Sequence, residues 1–296
     1  MWFSKKNERD DSAEDFGPED DAVEIIDNEY SDYYSEYEDE FVPQEPKKCK
    51  KLKKFIIRLL ILCVFLIGIN VFLLFFTGRL WFNQPDKDYY PIRGAIVDSD
   101  MGEVNWKTLS HQNIKLAYIR ATKGTAFKDE TFEQNWKNSS ESDLMTGAYH
   151  VFKFNKSGRD QAEYFCNALG NSFLGRLIPA VEVKLSGIDM FLSPDKDDAV
   201  KNLKEFMVYF QQSWGIKPMI ICDSRSYEKY IASDFDDYSV MIADYFSQPD
   251  EGVKWDFWCF NPRVRLKGYK NSKEYISMFV YKDNISTDDF KNKYIC

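Results

Sequence analysis

Between Leu59 and Phe76 the chain runs for eighteen residues with one polar side chain, Asn70. At about 1.5 Å of rise per residue, an apolar helix of that length nearly crosses the hydrocarbon core of a bilayer, and Arg58 can snorkel to the interface. Such a run splits the chain into two sides. Its flanks set the direction: "KKCKKLKK" (47–54) stands before it, and Arg79 and Trp81 stand after it. The heavier basic cluster marks the cytoplasmic side. A secretory signal fits poorly, because 54 residues precede Phe55 and the run is long for a signal's apolar core. The expected layout is a basic juxtamembrane segment over 47–54 and a single-pass transmembrane helix over 55–77. The N-terminus is cytoplasmic and the C-terminal domain extracellular.

Composition separates the two sides. Residues 10–45 hold sixteen acidic residues and no Lys or Arg. That stretch cannot bury enough apolar surface to offset its chain entropy, so 1–46 reads as a disordered acidic tail. Tyr30, Tyr33, Tyr34 and Tyr37 are candidate phosphorylation or docking points for a cytoplasmic partner, although a plain solvated tail suffices. Of the net charge of −9, residues 80–296 carry −3. That balance gives no basic face for nucleic acid, and no nucleic-acid partner is expected. The chain has two histidines, His111 and His150, and no C-x-x-C spacing. Neither a metal site nor a cofactor is expected. Cys166, Cys222, Cys259 and Cys296 fall beyond the apolar run. The sequence leaves their disulfide pairing open, the simplest reading being buried thiols with a loose terminal Cys296.

Past a linker over 78–90, two periodicities alternate. Strand patterns occur at "RGAIVDSD" (93–100), "KLAYIRAT" (115–122), "MTGAYHVFKF" (145–154), "RLIPAVEV" (176–183), "KPMIICD" (217–223), "YSVMIADYF" (238–246) and "KWDFWCF" (254–260). Between them lie helical patterns at "WKTLSHQNI" (106–114), "DETFEQNWKNSSESDL" (129–144), "GRDQAEYFCNALG" (158–170) and "DKDDAVKNLKEFMVYFQQSWG" (195–215). This alternation predicts an α/β domain with parallel strands, closed as a barrel. Its chemistry is expected at the C-terminal strand ends.

Six segments, in order, carry a resemblance. "GEVNWKTL" (102–109) is similar to an opening helix. "YIRATKGTAFKDETFEQNW" (118–136) resembles I-[KR]-A-T-E-G…D-x-x-F-x-x-N-W, and "GAYHVFKFNKSGRDQAEYF" (147–165) resembles G-A-Y-H-F-F-x-F with its following Q-A. "GIKPMIICD" (215–223) is similar to G-x-K-P-I-I-Y-T, and "WDFWCF" (255–260) to W-x-F-W-Q-Y. "GYKNSKEYISMFVY" (268–281) resembles G-Y-x-G-x-E-x-Y-I-D-x-N-x-F. Together they resemble glycoside hydrolase family 25, the muramidase (lysozyme) family that cleaves peptidoglycan, over residues 91–282. The resemblance implies an irregular TIM-like (β/α) barrel with fewer helices than strands. It places the family domain at 91–284, with 285–296 left as a C-terminal tail.

Glycoside cleavage needs one protonated carboxyl to serve the leaving oxygen and one carboxylate for the oxocarbenium-like centre or a nucleophile. The resemblance implies that these acids come from three strand ends, and this sequence departs at each. Ile96 stands at the Asp of G-[IV]-D-V-S, Lys184 at the Glu of D-x-E, and Ser277 at the Asp of Y-I-D-x-N. Lys123, Met241, Cys222 and Cys259 also replace polar or aromatic family positions. Glu182 keeps an acid at the D-x-E site, in "LIPAVEVKLSG" (177–187). Asp98, two residues after Ile96, is a candidate surrogate because strand side chains alternate with period two. A lysine, cationic with a reference pKa of about 10.4, is the wrong group for the general acid.

The reading that follows is a membrane-anchored, lysozyme-like outer domain that is catalytically degenerate. It would bind peptidoglycan or another cell-wall glycan through the old groove. Tyr149, Tyr245, Trp255 and Trp258 are the candidate substrate-binding residues. One alternative is an active glycosidase using Glu182 with a displaced Asp98, Asp100 or Asp244. Another is a scaffold or signalling protein working through its acidic tail.

Overall fold

The computed structural model describes residues 47–81, 83–269 and 275–296; the expected acidic tail (1–46) lies outside the described residues. The chain divides into two compact units, 1–63 and 64–296. Lys47–Phe76 is one continuous helix. Within its part from Lys50 to Phe76, the most apolar window has mean hydropathy 3.0 and none of it is buried. By length and composition it is able to cross a membrane.

Nine strands follow: β1 (Arg93–Val97), β2 (Leu116–Lys123), β3 (Phe127–Lys128), β4 (Met145–Val151), β5 (Ala180–Val183), β6 (Met219–Asp223), β7 (Val240–Ala243), β8 (Phe257–Val264) and β9 (Ile276–Tyr281). β1, β2, β4, β5, β6, β7 and β8 pair in parallel, each with the next. β9 runs antiparallel between β8 and β1 and closes the ring. The result is an eight-stranded barrel, with β3 a short hairpin partner of β2 outside the ring. Seven α-helical segments against nine strands among the described residues make it the irregular, helix-poor barrel expected from the sequence.

Period-two alternation feeds two separate cores. In β5, Val181 and Val183 point outward, with Ile220 and Ile242 of the neighbouring strands, against Phe165, Leu203, Phe206 and Phe210 of the covering helices. Ala180 points into the lumen with Tyr118, Phe257, Phe279 and Tyr281. The two main covering helices are Gly158–Leu169 and Lys196–Trp214. The second is capped by Asp195, which accepts from the N–H groups of Asp197 and Asp198, and ends at Gly215 in the left-handed region (φ 74°). The helices cross closely at Gly158. A Cβ there would sit 1.7 Å from the Asn202 carbonyl oxygen.

His150, on the outward face of β4, is fully buried between Phe165 and Phe206. Its Nδ1 lies 2.7 Å from Thr122 Oγ1 and its Nε2 lies 3.3 Å from Gln161 Oε1. Burial pushes its pKa down to about 3, with the Gln161 contact working the other way. It is a neutral polar staple between sheet and helix.

The segment 285–296, set apart by the sequence reading as a tail, is part of the fold. Thr287–Tyr294 is a helix capped by Ser286. Phe290 and Tyr294 stack on each other and meet Phe257 and Tyr281 edge-on, at the end of the lumen opposite the C-terminal strand ends. Its last turn is tied down by Ile178 N–H to Tyr294 O (2.8 Å) and Cys296 N–H to Arg176 O (2.8 Å). The terminal Cys296 is therefore held rather than loose. Cys166, Cys222, Cys259 and Cys296 are all free thiols.

Two outcomes are expected. Gly158→Ala should destabilise the protein by about 3 kcal/mol or more, because a backbone clash outweighs the gain in helix propensity. Chemical unfolding showing equal or higher stability would refute the close approach. For His150, whose folded pKa lies below its unfolded value of about 6.5, stability is held above that value and lost as pH falls towards 3. The slope is on the order of 1.4 kcal/mol per pH unit. The stability advantage of the native protein over His150→Gln should shrink across that window, and a constant difference would refute the assignment.

Candidate functional site

The C-terminal ends of the parallel strands and the start of β9 converge on one mouth of the barrel. Glu182 shares the inward face of β5 with Ala180, and Lys184 follows two residues on, returning to the same side. Lys184 Nζ lies 3.0 Å from Glu182 Oε1, with both side chains about one-fifth exposed (22% and 20%). Burial works against the charge on Lys184. Glu182, then Tyr245 and Cys259, more than offset this and hold the ammonium well above the ordinary lysine range. Lys184 is thus a permanent cation in the mouth.

Ile96 of β1 and Ser277 of β9 are direct partners across the seam. Opposite residues in an antiparallel pair point to the same side, so both face the lumen near its mouth. The rest of that wall is apolar or weakly polar. Tyr149 belongs to the lumen cluster and is 4% exposed. Burial, then the charges of Glu182 and Asp98, keep its phenol well above the ordinary tyrosine range. Tyr245 is half-buried, and burial pushes it up to about 12. Cys259 is also raised to about 12, chiefly by burial. Neither is a ready base or nucleophile.

Asp98 stands just past β1 and is engaged in the turn. Its Oδ1 accepts from Asp100 N–H (3.1 Å), and its Oδ2 lies 4.0 Å from Arg120 Nη1. Arg120 in turn donates from Nε to Asp129 (2.8 Å) and from Nη2 to Ser99 Oγ (2.8 Å). Asp129 also accepts Ser99 N–H (3.0 Å). This Asp98–Arg120–Asp129 network fixes the β1 and β2 loops. Sequence reasoning missed it, although the Arg of "YIRAT" followed by an acid nine residues on was its trace. Asp244 caps its own turn, accepting from Phe246 N–H (3.0 Å) and Ser247 N–H (3.1 Å).

The four candidate sugar-contacting aromatics separate. Tyr149 and Tyr245 come together in the lumen. Trp258 belongs to the outer cluster instead, 3% exposed, edge-on to Tyr90, with its indole N–H donating to Asp244 O (2.7 Å). Trp255 packs against that same outer cluster, half-buried. Rings with faces in water are ones the sequence reading passed over, because an apolar loop residue looks like core. Phe127 follows β2 (45% exposed), Phe191 lies beyond β5 (87%) and Phe246 follows β7 (70%).

Lys184 and Glu182 are predicted to behave as a coupled pair. Removing one partner leaves a half-buried charge unmatched, whereas removing both does not. Lys184→Met and Glu182→Gln should each destabilise by about 1–2 kcal/mol, with the double variant recovering much of the loss. Additive single effects in chemical unfolding would dissolve the pair.

Comparison with known proteins agrees with this architecture. Residues 97–269 match the family model described as Glycosyl hydrolases family 25. The structure of a family 25 glycosyl hydrolase from Bacillus anthracis superimposes with TM-score 0.65 at 29% identity, covering 71% of this chain and 95% of that one. "Uncharacterized protein YegX" of Escherichia coli O157:H7 is 26% identical over 193 residues, 63% of this chain and 69% of its own length. Lysozyme M1 of Streptomyces globisporus is 37% identical over 92 residues, 30% of this chain and 31% of its own length.

Proposed function

This chain belongs to Glycosyl hydrolases family 25, and from that premise we propose that it holds a lysozyme-like domain at the cell surface, binding the glycan of peptidoglycan without cleaving it. The observation that carries this reading is the 3.0 Å contact between Glu182 and Lys184. A glycosidase acid is kept protonated by an apolar pocket or a neighbouring negative charge. An ammonium in direct contact is the opposite environment. Asp98, the candidate surrogate, is held by Asp100 N–H and Arg120, so it is a fixed turn carboxylate rather than a group placed for proton transfer.

Ile96 and Ser277 continue the pattern. Loss of one general acid costs about 10²- to 10⁴-fold in rate. When the Ile96 and Ser277 positions also carry no carboxylate, Glu182 is the acid left at the three family positions, and Lys184 both neutralises it and would repel an oxocarbenium-like charge. What persists is a set of strand ends with exposed rings after them, Phe127, Phe191 and Phe246, suited to holding a sugar chain. The family supplies the ancestry and the barrel; the site decides the activity.

The helix Lys50–Phe76, with the basic cluster before it, is read as a single-pass anchor whose N-terminus is cytoplasmic. It would keep the binding domain beside the wall it recognises.

The test uses the full chain in detergent with insoluble peptidoglycan. The expected result is co-sedimentation with the wall and no release of new reducing ends above the blank, where an active muramidase gives a strong signal. Release that disappears in Glu182→Gln would overturn the reading and make Glu182 the acid. Absence of both release and sedimentation would remove the wall as the ligand.

A further inference from the structure

Beside the mouth, at the β2–β3 turn, lies a pocket of about 440 Å³ whose walls include Arg120, Lys123, Phe127, Lys153 and Lys156. The turn is pinned at Gly124, with φ 58° and its N–H donating to Val151 O (3.0 Å). Its Cα hydrogen faces the Lys153 stem, where a Cβ would come within 3.3 Å of Cγ. That close approach holds Lys123 and Lys153 against one another.

The charges do not cancel. Arg120 is satisfied by Asp129 at 2.8 Å. Lys123, Lys153 and Lys156 have no carboxylate at ion-pair distance among the described residues. The Lys153 ammonium donates to Ser186 Oγ (3.3 Å). Glu182, the acid whose charge reaches Lys123, is already committed to Lys184. The crowding is felt: burial first, then Lys153 and Arg120, lower the pKa of Lys123 below its ordinary value. Three unneutralised ammonium groups around one pocket, in a domain of net charge −3, are a destabilising arrangement that an anion relieves.

We propose that this pocket is a subsite for a phosphate group carried on a wall glycan, an inference that rests on the wall-binding reading above. Phosphate fits better than carboxylate for two reasons. The one guanidinium fork, suited to a carboxylate's two oxygens, is already occupied by Asp129, and the free groups are lysines, which act as point charges. A phosphomonoester also brings about two negative charges and three acceptor oxygens, against one charge and two oxygens for a carboxylate. Phe127, half exposed at the pocket wall and 5.6 Å from the Arg120 guanidinium, offers a face to the sugar that bears the phosphate. The pocket volume lies within the usual range for small-molecule sites.

The experiment titrates the full chain in detergent, at low salt, with N-acetylglucosamine 6-phosphate, N-acetylglucosamine and inorganic phosphate, read by calorimetry. The phosphosugar is expected to bind at least about tenfold more tightly than either control. Lys123→Gln and Lys153→Gln should each weaken it by about tenfold, in line with the worth of a charged hydrogen bond. Lys156→Gln, more exposed, should weaken it less, and added salt should erode the preference. Both main substitutions are at solvent-accessible ends of side chains, and an unchanged circular dichroism spectrum confirms folding. Equal affinity for phosphosugar and neutral sugar overturns the proposal. So does an unchanged phosphosugar affinity in the Lys123→Gln/Lys153→Gln double variant. Inorganic phosphate binding as well as the phosphosugar overturns the glycan-borne part. Sedimentation with wall before and after hydrofluoric-acid removal of phosphate separates the two readings. Loss on stripping supports the phosphate subsite. Equal sedimentation sinks it while leaving wall binding intact, and sedimentation with neither sinks wall binding and the glycan part together.

Discussion

A strand in a closed barrel has no face left for solvent along most of its length. The ring strands here alternate between a lumen and an outer surface covered by helices and, over β8, by the segment around Trp81 and Tyr90, so their side chains serve two cores at once. Polar groups then find room only at the ends of the ring or as satisfied staples such as His150 between Thr122 and Gln161. One end is filled by the C-terminal helix with Phe290 and Tyr294. The other is where Glu182, Lys184, Ser277 and Ile96 collect. The location of the site follows from ring closure before any family resemblance is considered.

Within that mouth, the geometry of β9 matters as much as the parallel strands. Because β9 runs antiparallel, its beginning rather than its end meets the mouth, and Ser277 falls opposite Ile96. Two positions nearly 180 residues apart in sequence become neighbours. A carboxylate at either would lie close to the other. An aliphatic and a hydroxyl side chain stand there instead, and Glu182 is paired with Lys184. The apolar and phenolic groups around them, Tyr245 and Cys259 among them, raise the cost of separating the pair.

The barrel was legible in the sequence because its signals are local. "AVEV" alternates, "DDAVKNLKEFMVYF" repeats at helical spacing, and Gly215 ends the helix it follows. Strand ends were less so: the pattern at 238–246 was read two residues long at the start and three at the end, since Tyr238, Tyr245 and Phe246 carry strand-like chemistry into turns. The Glu182–Lys184 pairing was readable because Lys184 directly follows the strand that carries Glu182, two residues on. The C-terminal helix was missed as part of the core, because "TDDFKNKY" has only Phe290 and Tyr294 to bury, and one of their partners, Tyr281, lies on β9, beyond the seven strand patterns read from periodicity. Trp258 was a candidate sugar-contacting residue as an aromatic kept in the segment resembling W-x-F-W-Q-Y. The period-two register puts it on the other face, next to lumen-facing Phe257 and Cys259.

The pocket of Lys123, Lys153 and Lys156 was invisible for a different reason. Composition gave the outer domain a net charge near neutral, and a net charge is a sum over the whole surface. Lys123 reaches its place by ending β2, Lys153 by following β4, and Lys156 by the turn after that. No window of sequence contains all three as a basic run. Their convergence depends on the parallel pairing of β2 with β4, in which Lys123 stands opposite Val151, two residues before Lys153. The same pairing places them beside Glu182, since Val151 is in turn opposite Glu182 on β5. Four adjacent strand ends therefore present a continuous polar edge: an ammonium pair from β2 and β4, then the Glu182–Lys184 ion pair after β5, then the capped turn of Asp223 after β6. An edge built in that order is where the proposed anionic glycan would meet charge of both signs along the mouth.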